Sequence, residues 1–158
     1  MNNKVSVIIP VYNASAWLDK AIRSVVNQSH SNWELIAIDD DSTDDSLDKL
    51  KKWESQDNRI RIFHKVNEGP ARARAFGLKK AVGDFIFYLD ADDFISIDMF
   101  ELCISAMDRS EADIAMPNLI QINNVKIMVD SFIKFGLIPD SILTGQQAFE
   151  RSISWSGV

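Results

Sequence analysis

Apolar positions alternate between two periods through the first two-thirds of the chain. Val5 to Ile9 is a β-branched run closed by Pro10, which predicts a strand. Leu18, Ala21, Ile22, Val25 and Val26 then recur at the spacing of one helix face, with Asn13 or Ser15 placed to cap it. Trp33 to Ile38 predicts a second strand. Ser42 followed three residues later by Asp45 fits a capping box opening a helix with Leu47, Leu50 and Trp53 or Glu54 on successive turns. A short third strand is expected over 59–63. Pro70 suits the first turn of a third helix, with Ala71, Ala75, Leu78 and Val82 on one face and Gly83 as its stop. Phe85 to Leu89 is uninterrupted apolar sequence, as expected of a parallel strand covered on both faces. Ser96 is placed to cap a fourth helix carrying Ile97, Phe100, Ile104 and Met107, and a fifth strand is expected over 112–116.

Repeated strand–helix units of this kind predict an α/β fold, a mostly parallel sheet with helices on both faces. After Pro117 the pattern weakens. A hairpin over 119–129 turning near Asn123 and Asn124, and a short helix over 146–153, are the expectations there. The predicted organisation is a ligand-binding α/β core over 1–116 and the start of a second region, incomplete, over 117–158. The abrupt apolar end around Trp155 is expected to mark missing sequence and leaves self-association open.

At 158 residues, with 46% hydrophobic and 25% charged positions, the composition is that of one ordinary globular domain. The net charge of -6 and pI of about 4.8 argue against a nucleic-acid-binding surface, which needs a basic stripe. The single cysteine, Cys103, sits in an apolar helical pattern and reads as a structural thiol. The start does not resemble a signal peptide, and no apolar run approaches the roughly 20 residues that span a bilayer. Cytoplasmic residence is the default expectation, with peripheral attachment to the inner face of a membrane left open.

Two aspartate clusters change the picture. Asp39–Asp40–Asp41–Ser42–Thr43–Asp44 follows the second strand, and Asp90–Ala91–Asp92–Asp93 follows Phe85 to Leu89. Like charges at the carboxyl end of a sheet repel unless something offsets them, and a divalent cation carrying a phosphorylated ligand would do so. Open α/β sheets bind ligands at that edge. Helix capping accounts better for Asp44 and Asp45. A calcium loop starting at Asp90 fails, because Phe94 and Ile95 stand where an oxygen ligand and a glycine are needed. A phosphorylatable receiver domain expects its acid pair after strand one, where Pro10–Val11–Tyr12 stands. A dinucleotide fold lacks its glycine-rich turn.

Pro10–Val11–Tyr12–Asn13, the cluster from Ile38 to Asp44, Asn67–Glu68–Gly69 leading to Ala73, Arg74 and Gly77, and Gly83–Asp84 leading to the cluster from Asp90 occur in that order. Together they resemble the nucleotide-sugar-binding half of a family 2 glycosyltransferase, the inverting type with the GT-A fold, over about residues 4–107. The resemblance implies a donor site formed by Pro10, Tyr12, Asp39, Asp40, Gly69, Arg74, Asp90 and Ala91. Tyr12 packs on a base, Asp40 accepts a base N–H, and Arg74 reaches a diphosphate or a base carbonyl. Asp90–Ala91–Asp92 resembles the DXD motif, with Asp92 the direct ligand of Mn²⁺ or Mg²⁺ and Asp90 a second metal or sugar contact. It implies a nucleotide sugar, a UDP-sugar by family frequency, as donor, a saccharide or lipid-linked acceptor, a hexosyl or N-acetylhexosaminyl group transferred, and a place in polysaccharide biosynthesis. The family's catalytic base comes from a later segment; Asp130, Asp140 and Glu150 stand in no recognisable motif, so the base is expected outside this chain. A fragment that binds donor without transferring it is the alternative. The family usually has Gly where Asp41 stands and Asn where Ala75 stands. Arg72 reads as a surface charge, and His30 and His64 as structural or surface residues.

Overall fold

The computed structural model describes residues 3–117, 120–123 and 126–129. Its elements run β1 (Val5–Val11), α1 (Ser15–Val26), β2 (Trp33–Asp40), α2 (Ser46–Gln56), β3 (Ile60–Lys65), α3 (Pro70–Leu78), β4 (Phe85–Tyr88), α4 (Met99–Ser110), β5 (Ile120–Asn123) and β6 (Lys126–Val129). The first four strands form a parallel sheet in the order β3-β2-β1-β4. The α/β class with a parallel sheet is therefore as expected. Pro10 does not end β1, as its sequence suggests, but lies within it opposite Ile38. Lys4 and Ile8 turn their carbonyls toward β4, so Pro10, of the same parity, faces that side too. The β4 register stops at Ile8↔Tyr88, and the missing N–H of Pro10 costs no ladder bond.

All eight residues of β2 are buried. Ile36 and Ile38 form a cluster with Ala73 of α3, edged by Phe63, Phe76 and Ala81. Each fully buried Ile, Leu or Val is worth about 1.5–3 kcal/mol. The stripe of α3 that meets the sheet is Ala73 and Gly77, with Ala71, Ala75 and Leu78 exposed. The expected face of Ala71, Ala75, Leu78 and Val82 is wrong; the helix instead turns Ala73 and Gly77 inward, where Gly77 lets it lie close on Ile8 of β1 and Ile38 of β2. Gly83 does not stop α3, which ends at Leu78. A Cβ at Gly83 would stand 2.6 Å from the Lys4 carbonyl oxygen and 2.8 Å from the Ser6 nitrogen, so the glycine serves the close approach of the chain to β1. Beneath it, buried Glu34 accepts from the Ser6 hydroxyl (2.7 Å) and Val82 N–H (2.8 Å), with Arg61 at 3.2 Å.

β4 is not covered on both faces. It is an edge strand among the described residues, and Ile86 and Tyr88 are exposed because α3 lies over β1 and β2. Phe87, on its other face, meets Phe100 edge-on with centroids 5.5 Å apart. α4 begins at Met99, so Ile97 lies outside it and is exposed. No strand forms over 112–116, where Ile114 and Met116 are exposed and find no ladder partner among the described residues. β5 and β6 make an antiparallel hairpin pairing Asn123 with Lys126, in line with the expected turn. The helix expected over 146–153 and the region around Trp155 lie outside the described residues. The chain groups into two compact units, Met1–Glu101 and Leu102–Val158.

Candidate active site

Because the four strands are parallel, the segments after Val11, Asp40, Lys65 and Tyr88 all leave the same edge of the sheet. Tyr12, the first acidic cluster, Glu68–Gly69 and the second acidic cluster therefore share that edge, as the sequence motifs require.

The first two segments are tied together. Ser42 Oγ accepts the Asn13 N–H (3.1 Å), and Asn13 Oδ1 accepts the Thr43 N–H (2.8 Å). Ser46 Oγ accepts the Ala14 N–H (3.0 Å). The Asp44 carboxylate accepts Ser15 N–H at the start of α1 (3.0 Å) and Ser46 N–H at the start of α2 (2.9 Å). Neither Asn13, Ser15 nor the expected Ser42–Asp45 box caps a helix; Asp44 caps both. Desolvation works to raise its pKa, but the hydrogen bonds from Ser46 and Ser15 outweigh it and hold the carboxyl well below the usual range. Tyr12, half exposed, leads into this clamp. Asp41 has φ of 65°, left-handed backbone that favours glycine, which explains the residue usual there in the resemblance.

Asp39 and Asp40 face opposite sides of β2. Asp39 is fully buried; its Oδ2 meets His64 Nδ1 at 2.7 Å, and its Oδ1 is buried without a hydrogen-bond partner. Asp40 Oδ1 accepts from Lys65 Nζ (2.7 Å) and Glu68 N–H (3.1 Å), and its Oδ2 from Gly69 N–H (2.8 Å). Burial opposes ionisation of Asp40, but Lys65 and the two N–H groups more than offset it and lower its pKa. Asp40 thus closes the start of α3, whose Gly69 precedes Pro70. His64 and Lys65 were hidden from sequence reasoning because the third strand, expected to end at Phe63, continues to Lys65 and sets them opposite Asp39 and Asp40.

One turn into α3, Arg74 donates from Nη2 to Asp90 Oδ1. Arg72 instead pairs with Glu68 (2.8 Å) and is largely exposed. Ala91 is buried, and the chain turns there, the Asp93 N–H donating to the Asp90 carbonyl (3.1 Å). Asp92 is exposed. Desolvation first, and then the charges of Asp92 and Asp90, raise the Asp93 pKa. The segment after this turn is held by Lys20 and Ser24 of α1 and by Gln28 just past its end. Lys20 Nζ lies 3.5 Å from the Phe94 ring centre, Ser24 Oγ accepts from Ile95 N–H (3.2 Å), and Gln28 Oε1 accepts from Phe100 N–H (3.1 Å). His30 Nε2 lies 2.8 Å from the Asn3 carbonyl oxygen, at the opposite edge of the sheet.

Among the described residues no three His, Cys, Asp or Glu side chains gather into a cation cage. A Mg²⁺ or Mn²⁺ ion held by one or two carboxylates and phosphate oxygens needs no such cage. The exposed pair Asp90 and Asp92 fits that donor set.

The family model described as "Glycosyl transferase family 2" matches residues 6–127, most of the chain. The chain belongs to glycosyltransferase family 2. An uncharacterized glycosyltransferase of Rickettsia felis is 49% identical over 109 residues, covering 69% of this chain and 18% of that protein. The structure of Staphylococcus aureus TarS 1–349 in complex with UDP superposes with a TM-score of 0.64 at 29% identity, over 70% of this chain and 33% of that one. A mannosyltransferase from Pyrobaculum calidifontis, in complex with GDP-Man and Mn²⁺, shares the fold at TM-score 0.54 and 23% identity, over 57% of this chain and 28% of that one. The chain therefore spans only a fraction of the length of these relatives. The likeness confirms the GT-A-like, Rossmann-like family 2 architecture. Among the described residues no helix is long and apolar enough to cross a membrane.

Proposed function

We propose that this chain is the donor-binding portion of a metal-dependent, inverting glycosyltransferase that moves a sugar from a nucleoside diphosphate to a saccharide or lipid-linked acceptor. The observation that carries the reading is the convergence at one sheet edge of Tyr12, Asp40, Arg74 and the Asp90–Asp92 turn, with Arg74 reaching Asp90 from α3. Tyr12 and Asp40 hold the base, and Arg74 moves from Asp90 to the diphosphate when donor enters. Asp92, with Asp90 as second ligand, would hold Mn²⁺ or Mg²⁺, which supplies charge neutralisation at the leaving diphosphate. Pro10 and Gly69 shape the backbone around the site, and Ala91 lets the acidic turn sit close to it. Asp39, buried behind the base position, supports it. UDP is the favoured nucleotide because TarS, the family neighbour with the higher identity, is described in complex with UDP and with UDP-GlcNAc.

Inverting transfer also needs a carboxylate to deprotonate the acceptor, typically worth about 10² to 10⁴ in rate. That base is assigned to the remainder of the longer enzyme, since Asp130, Asp140 and Glu150 stand in no recognisable motif; all three lie outside the described residues. Calorimetric titration of UDP-GlcNAc and other nucleotide sugars into the chain with Mn²⁺, followed by a transfer assay against the full-length parent, tests the reading. Binding by both and transfer by the parent alone is expected. No binding of any nucleotide sugar overturns it.

A further inference from the structure

We infer that Lys65 is a positioning residue that limits Asp40 to one further hydrogen bond, so that the site prefers a nucleoside diphosphate whose base presents a ring N–H. The inference rests on the assignment of Asp40 to base recognition. A carboxylate offers about four acceptor positions, two on each oxygen. Lys65 Nζ at 2.7 Å and Glu68 N–H at 3.1 Å occupy both positions on Oδ1, and Gly69 N–H at 2.8 Å occupies one on Oδ2. One position on Oδ2 remains. The Asp40 side chain is only 4% exposed, so bulk water does not compete freely for it.

Lys65 is itself held. Its Nζ is 2.8 Å from Glu68 Oε2 and also donates to the Val66 carbonyl, and its side chain is 13% exposed. All three ammonium donors are therefore used, one on Asp40 of β2 and two on Val66 and Glu68 of the β3–α3 segment, and Lys65 cannot swing out to a phosphate without breaking them. Its role is to hold Asp40 as an oriented anion. Such an anion only accepts. It suits the ring N–H of uracil or guanine and repels the bare ring nitrogen of cytosine or adenine at the same place. Without Nζ, Asp40 loses its one cationic partner, so less offsets the burial that opposes its charge and it takes up a proton more readily. A neutral carboxyl both donates and accepts, and it no longer rejects a bare nitrogen.

The test is calorimetric titration of UDP and CDP, with Mn²⁺ throughout, into the full chain carrying Lys65, Lys65→Met or Lys65→Arg, with a thermal melt of each. The unaltered protein is expected to bind UDP about tenfold or more tightly than CDP, the effect of one hydrogen bond to a charged group. Lys65→Met should narrow that ratio to about threefold or less, chiefly by weakening UDP. Lys65→Arg should keep it. If Lys65→Met fails to fold, Lys65→Gln replaces it with the same expected narrowing. A preserved UDP preference in the folded neutral variant, or no preference in the unaltered protein, overturns the inference. Asp40→Ala separates the two levels. If it weakens UDP while Lys65→Met keeps the ratio, only the role of Lys65 falls. If it leaves UDP affinity unchanged, the assignment of Asp40 falls as well.

Discussion

Replacing Asp44 with alanine removes the one side chain that caps two helices at once. Its two oxygens accept the first N–H of α1, at Ser15, and the first of α2, at Ser46, at 3.0 and 2.9 Å. A single capping side chain is worth about 0.5–2 kcal/mol. Two caps would give about 1–4 kcal/mol, and because Asp44 is exposed the lower half of that range applies, about 1–2 kcal/mol. For a chain of this size that is a fall in Tm of about 2–8 °C. Asp44→Asn keeps one accepting oxygen and should lose about half as much. The pH dependence has a definite sign. The folded pKa lies below the ordinary value of 3.8, so the contribution is full above about pH 4 and is lost as pH falls through the folded value. Urea unfolding of both variants and the unaltered chain at pH 7 and again near pH 3 reads the effect. The gap should be present at pH 7 and smaller in acid. Equal urea midpoints at pH 7, or a gap that widens on acidification, would refute the capping argument.

Other substitutions probe the same frame. Asp41→Gly places the natural occupant of left-handed backbone where φ is 65° and should leave stability unchanged or raise it by up to about 1 kcal/mol, measured by urea unfolding. Gly77→Ala drives a Cβ to 2.6 Å from Ile8 Cγ2 and should destabilise by about 1–3 kcal/mol, whereas a melt unchanged from the parent would mean that α3 has room to lift off β1. Glu34→Ala strips the acceptor from Ser6 and Val82 and the partner from half-exposed Arg61, and should cost about 1–3 kcal/mol in chemical denaturation.

The core was legible where large apolar side chains mark the period. The strands at Val5, Trp33 and Phe85 and the helices at Leu18 and Leu50 stand within a few residues of their expected places. It was not legible where small residues do the packing, so the α3 stripe of Ala73 and Gly77 gave no signal and exposed Leu78 took its place. At the site, the motif residues were visible in order, and the structure brings their segments to one edge. The partners were not visible, because they are set by register between strands and by contacts distant in sequence. Lys65 stands opposite Asp40 only once β3 extends past Phe63. Asp44 reaches Ser15 across 29 positions, and Lys20, Ser24 and Gln28 hold a segment some 70 residues on. Patterns along the chain report which face a residue takes within its own element, and carry little about which side chain another element sets beside it.

The central claim, that this sheet edge holds a nucleoside diphosphate through a cation on the Asp90–Asp92 turn, is tested most directly by one titration. UDP is titrated calorimetrically into the chain with Mn²⁺ and again with chelator in excess, for the unaltered protein and for Asp92→Ala. The account predicts an affinity at least about tenfold higher with Mn²⁺, and a loss of that difference in Asp92→Ala while its melt stays that of the parent. Equal UDP affinity with and without the cation in the unaltered protein would contradict it.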